Sequence, residues 1–183
     1  DFHVHLFPDK GFDAIWKFFK TVSQVEVRYQ IYYRECIQYL NRHGVSPIVF
    51  SNYAHKKGIA EPMNEWNMQV LEEFPDLFCF APYHPDDEQA LEYTERMLSH
   101  PRVAGVKMHF QIQKIPPHDE RLFGLYELII DKGKRVLLHT GNGPSGNEFV
   151  GYAHFRRLLD RFPDLPVNIP HMGCYEFSQF MEL

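Results

Sequence analysis

The sequence opens Asp1-Phe2-His3-Val4-His5-Leu6 and returns to histidine after each later apolar run. If residues 2–6 form a β-strand, side chains alternate between its faces, so His3 and His5 share one face while Phe2, Val4 and Leu6 share the other. Two imidazoles side by side near a strand end have few structural uses, because burying them without partners carries a desolvation cost. The apolar runs end as HVHLFP, VFSNYAH, APYHP, GVKMHF, VLLHTG and NIPHMG, so polar or ionisable residues close all six. Imidazoles gathered at one rim would suit a borderline-soft divalent ion such as zinc, bound through neutral nitrogen at about 2.0–2.1 Å.

Such a rim requires strands whose ends meet. Strands are expected near residues 2–6, 46–51, 77–83, 103–109, 135–139 and 166–171, with helical spacing between them. Phe12, Ile15, Trp16 and Phe19 fit one helical face, and Leu122, Phe123, Tyr126, Ile129 and Ile130 another. Helices are also expected over 64–74 and 145–162, each stopped by the following proline. Asp86 and Asp87 are placed at a helix start, and Gly44 and Gly133 just past helix ends. Strands alternating with helices imply a parallel sheet. A nucleotide-binding open sheet would carry a glycine-rich turn after its first strand, where this chain has His-Leu-Phe-Pro. The expected fold class is therefore α/β, a (β/α)8 TIM barrel with about six β/α units present. A barrel of this type takes about 250 residues, so the last two units are expected to lie outside the 183 residues read as one barrel domain, 1–183.

Composition narrows the partners. The chain is 44% hydrophobic, as globular domains are, and its net charge of -5 with scattered basic residues gives no footprint for nucleic acid or an anionic membrane. No apolar run approaches the roughly 18 residues of a membrane helix, and no signal-peptide pattern opens the chain. A small-molecule substrate and a cytoplasmic location are expected, with a homo-oligomer left open. Cys36, Cys79 and Cys174 form no C-x-x-C pair and read as reduced thiols rather than zinc ligands. His55, His84, His118 and His154 read as ordinary hydrogen-bonded residues. Gly141, Gly143 and Gly146 read as a loop beside the site, since no Gly-Lys-Ser/Thr completes a phosphate loop. Tyr53, Tyr83 and Phe110 could line a pocket, although core packing accounts for them more simply.

Asp-x-His-x-His at residues 1–5, Gly-Val-Lys-x-His ending at His109, His139 before Thr-Gly and His171 before Met-Gly together resemble the amidohydrolase superfamily. More narrowly, they resemble its amidohydrolase-related branch, which also contains metal-dependent decarboxylases and hydratases. TatD-like nucleases and PHP-type phosphoesterases share the opening motif, but the fourth strand here, Ala-Gly-Val-Lys-Met-His, lacks the glutamate of the former. The further His and Asp motifs of the latter are not found. The resemblance implies that His3, His5 and His139 bind one divalent metal, zinc first and manganese as the alternative. His171 would act beside the metal, and Lys107 and His109 would face the substrate. A metal-binding aspartate expected on an eighth strand has no counterpart here.

The expected function is a metal-dependent hydrolase that turns activated water on an amide, ester or lactone of a small molecule. Decarboxylation or hydration of a carboxylated substrate is the alternative, and a non-catalytic barrel is the rival from another class.

Overall fold

The computed structural model describes residues 1–24, 26–140 and 147–183. Six strands form one parallel sheet in sequential order: β1 (Val4–His5), β2 (Ile48–Ser51), β3 (Leu77–Pro82), β4 (Val103–Met108), β5 (Arg135–Leu138) and β6 (Val167–Asn168). Five connections carry the longer helices α1 (Asp9–Phe18), α2 (Tyr33–Arg42), α3 (Ala60–Glu73), α4 (Ala90–Leu98), α6 (Phe123–Asp131) and α7 (Tyr152–Arg161). Short helices α5 (Phe110–Gln113) and α8 (Phe177–Met181) follow β4 and β6.

The sheet is curled. Laid flat, six strands at the usual spacing would hold β1 and β6 roughly 24 Å apart. Instead the rings of His3, just before β1, and His171, just after β6, lie 5.2 Å apart. These are six units of a (β/α) barrel. Alternation along each strand builds two cores. The helix-facing core takes Val4, Leu6, Ile48, Phe50, Val106, Val136 and Leu138, all buried. The concave side takes Val49, Phe80 and Leu137, with Phe78 and Ala104 against them. Fully burying a side chain of this kind stabilises by about 1.5–3 kcal/mol, and both layers depend on the same two-residue period.

The expected elements need four corrections. β1 is shorter than 2–6, so Phe2 precedes the strand and escapes its alternation: its ring meets the concave-side Phe80 at 5.6 Å rather than joining Val4 and Leu6. β6 ends at Asn168, because Pro170 cannot donate to a ladder and His171 and Met172 turn to positive φ. Asp86 and Asp87 precede α4 rather than starting it; Asp87 instead accepts from the Gly58 amide at 2.7 Å and the Tyr93 hydroxyl at 3.0 Å. The helix expected over 145–162 runs from Tyr152 to Arg161. Its first expected residues, and the Gly141, Gly143 and Gly146 loop, reach outside the described residues. Gly44 and Gly133 do follow helices, at φ 75° and 60°.

One irregularity aims a functional side chain. The β3–β4 register shifts between Cys79 and Phe80, so Ala104 and Lys107 both reach the concave side across Gly105. A Cβ on Gly105 would lie 1.7 Å from the Arg135 carbonyl oxygen of β5. We expect Gly105→Ala to cost at least about 2 kcal/mol, because backbone must yield, and urea denaturation with unchanged stability would refute this close approach.

Candidate functional site

Four of the six strand ends deliver polar groups to a common mouth. His3 and His5 come from β1, Lys107 and His109 from the end of β4, His139 from the end of β5 and His171 from the turn after β6. The rings form a chain of contacts: His3 to His5 at 4.8 Å, His3 to His171 at 5.2 Å, His171 to His139 at 5.5 Å and His139 stacked on His109 at 4.0 Å. Lys107 lies among them with no exposed surface, its Nζ 3.5 Å from His3 Nε2. All six residues expected at the site are therefore in one cluster.

Burial sets the charge state of this cluster. It lowers the pKa of His3 to about 4, of His139 to about 3 and of His109 to about 2, with Lys107 or a neighbouring imidazole adding to each. His5 is pushed well down by the same desolvation, followed by Lys107. The His5 side chain is nonetheless exposed to solvent at the open mouth. His171 is the outermost, exposed to solvent and lowered by partial burial and then by Lys107. Burial alone brings the Lys107 ammonium down to about 7. The charged neighbours acting on these groups are the cluster's own members, and no Asp or Glu is among them.

Neutral imidazoles are the form in which histidine binds metals, so the donor chemistry of His3, His5 and His139 fits a divalent ion. Among the described residues, no three His, Cys, Asp or Glu side chains converge closely enough to hold an ion in their present rotamers. Among the described residues His109 Nδ1 is buried without a partner, and the ring stacks on His139 with the Tyr53 ring tilted against it, its centroid 4.7 Å away.

The strand ends are fastened to one another by buried side chains that sequence patterning did not single out. Asn52 Nδ2 donates to the Leu6 carbonyl at 3.2 Å and to Asn67 Oδ1 at 2.6 Å, tying β1, β2 and α3 together. Asn64 Nδ2 donates to the Pro82 carbonyl at the end of β3. Gln113 Nε2 donates to the Tyr83 carbonyl, while its Oε1 accepts from the His109 amide, joining β3 to β4. Thr140 Oγ1 donates to the Pro170 carbonyl at 2.9 Å, joining β5 to β6 beside His139 and His171. The only sequence signal is polar residues on faces that should be apolar, as at Asn64 and Asn67 in α3.

Of the pocket candidates, Tyr53 is at the mouth, 6.1 Å from the His5 ring. Tyr83 and Phe110 are buried in the core. His84 is buried, with Nδ1 accepting from the Asp86 amide, and His118 stacks on His154 at 5.3 Å, outside the ring contacts of the cluster. The three cysteines are free thiols.

A model of the amidohydrolase family matches residues 1–183, and the chain belongs to that family. Its fold is similar to that of 5-carboxyvanillate decarboxylase from Sphingomonas paucimobilis, with a TM-score of 0.70 and 17% identity over 93% of this chain and 66% of that one. It is also similar to 4-oxalomesaconate hydratase from Rhodopseudomonas palustris, with a TM-score of 0.65 and 17% identity over 98% of this chain and 66% of that one. The 5-carboxyvanillate decarboxylase of Novosphingobium aromaticivorans, solved with bound manganese, aligns with a TM-score of 0.68 and 12% identity over 93% of this chain and 65% of that one. The chain thus spans just under two thirds of the length of these structures. No curated protein matches the sequence. Among the described residues, no helix is long and apolar enough to cross a membrane.

Two outcomes follow from this geometry. Asn67→Ala leaves Asn52 short of a buried partner and should cost about 1–3 kcal/mol in urea denaturation; a smaller loss would mean that the amide pair does not hold the mouth. Because folding lowers the His3 and His139 pKa values from 6.5 to about 4 and about 3, the unfolded chain binds more protons across that interval. Stability of the metal-free protein should therefore be complete above pH 6.5 and fall as pH drops toward 4, and a flat profile would contradict burial of neutral rings.

Proposed function

We propose that residues 1–183 form a single domain carrying the metal centre of a metal-dependent enzyme, with a small carboxylate-bearing molecule as substrate and decarboxylation or hydration as its chemistry. The observation that carries this reading is Lys107, an amine buried among imidazoles with no carboxylate acting on it. Such a site lacks a counter-charge and favours an anion above it. The similar folds include two decarboxylases and a hydratase, which agrees with this substrate class.

In this reading His3, His5 and His139 hold zinc or manganese. When bound, a divalent ion supplies a Lewis acid that draws electron density from substrate oxygens. Lys107 neutralises the substrate's anionic charge, and a bound anion favours its protonated form. His109, fixed between Tyr53 and His139, orients the substrate. In a decarboxylation the bond to the departing carboxylate breaks, carbon dioxide leaves and the electron pair stays on carbon. His171, at the solvent-exposed side of the cluster, collects a proton from water and delivers it to that carbon from a ring nitrogen.

A second reading, hydrolysis of an amide, ester or lactone, is favoured by the same neutral donor set, which suits an ion that activates water. Substrate screening separates the two. Aromatic and unsaturated carboxylic acids, lactones and amides are incubated with manganese- or zinc-loaded protein, with release of carbon dioxide and product mass as readouts. Chelation should abolish turnover. His139→Ala should lose metal and activity together, whereas His171→Ala should keep the metal and lose at least about 100-fold in kcat. Protein that binds neither ion would overturn both readings, and metal loss in His171→Ala would make His171 a ligand.

A further inference from the structure

Ser51 closes β2 directly opposite His5 in the parallel register. Ile48 and Phe50 face the helices and Val49 faces the concave side, so the two-residue period sends Ser51 to the concave side as well, beside His5. Its side chain has no exposed surface, and its Oγ has no hydrogen-bond partner among the described residues. A hydroxyl left this way carries an uncompensated desolvation cost. Asn52, the next residue, has both its amide hydrogens engaged in the tether to Leu6 and Asn67. Ser51 differs from it in being left without work in the folded chain alone. The ring nitrogens of His5 likewise have no hydrogen bond among the described residues.

We propose that Ser51 is a positioning residue: its hydroxyl accepts the ring N–H of His5 when the other ring nitrogen of His5 binds a divalent metal. The inference rests on the metal-ligand reading of His5 given above. A histidine that ligates a metal through one nitrogen needs an acceptor for the other, which fixes its tautomer and raises its basicity. Neighbouring side chains on one face of adjacent strands are the right distance apart for this, and a serine hydroxyl reaches a new partner by rotation about a single bond. The arrangement also accounts for a hydroxyl on the side of the sheet that carries the apolar Val49, Phe80 and Leu137.

The test compares wild type, Ser51→Ala and Ser51→Thr by equilibrium dialysis against manganese and zinc, with thermal melting in chelator as the control. Ser51→Ala should lose about 10–100-fold in metal affinity. In chelator its Tm should be unchanged or higher, because an unpartnered buried hydroxyl has been removed. Ser51→Thr, which keeps the hydroxyl, should bind metal within about threefold of wild type. Wild-type affinity in Ser51→Ala would overturn the proposal, as would a Ser51→Thr protein as weak as the alanine variant. A Tm in chelator that falls in step with the affinity would also overturn it, reducing Ser51 to a packing role. Wild type that binds neither ion would overturn the metal reading of His5 itself, and so is distinguished from failure of the Ser51 role.

Discussion

Everything at the mouth depends on the curl of a parallel sheet. Strands that twist in one sense and are covered on their convex side by helices bend so that their ends converge. Here the bend is large enough to bring residues flanking the two edge strands, His3 and His171, into ring contact. No local interaction between β1 and β6 achieves this, since neither strand pairs with the other. The contact is a property of the five intervening ladders and of the bulky side chains, Phe80 foremost, that fill the concave layer.

That curvature makes the electrostatics of the site. Imidazoles that would titrate near neutrality in water are gathered around a buried amine, and partial desolvation together with Lys107 pushes His3, His5 and His139 toward the neutral state. A set of neutral nitrogen donors with one buried amine is unfavourable by itself and becomes favourable when a cation and an anion enter together. The fold holds this arrangement through polar fastenings elsewhere: the Asn52–Asn67 pair, Asn64, Gln113 and Thr140 each spend their hydrogen bonds on a neighbouring strand end. A satisfied buried amide pair such as Asn52–Asn67 is rigid, because breaking it exposes an unpaired group in a low dielectric.

The divergence between expectation and structure is concentrated where the chain leaves regular geometry. Phe2 was placed with Val4 and Leu6 by a period that had not yet begun at that residue. The turn at His171 and Met172 adopts positive φ, which no apolar pattern encodes. Asp86 and Asp87 had the composition of a helix start but are used for loop-to-loop hydrogen bonds instead, a choice made by the proximity of Gly58 and Tyr93.

The amino-acid sequence by itself determined the alternation of strands and helices, the parallel sheet and the identity of the rim histidines, because periodicity and strand-end position are local properties. It also carried the family, through the order of the motifs around Asp1, His3, His5, Lys107, His139 and His171. Only the tertiary structure decided that Lys107 is wholly buried against His3, that His109 stacks on His139 with Tyr53 tilted against it, and that Ser51 stands beside His5 without a partner among the described residues. Those facts are set by distances between strands far apart in sequence, and desolvation, which governs their chemistry, exists only once the sheet has curled around them.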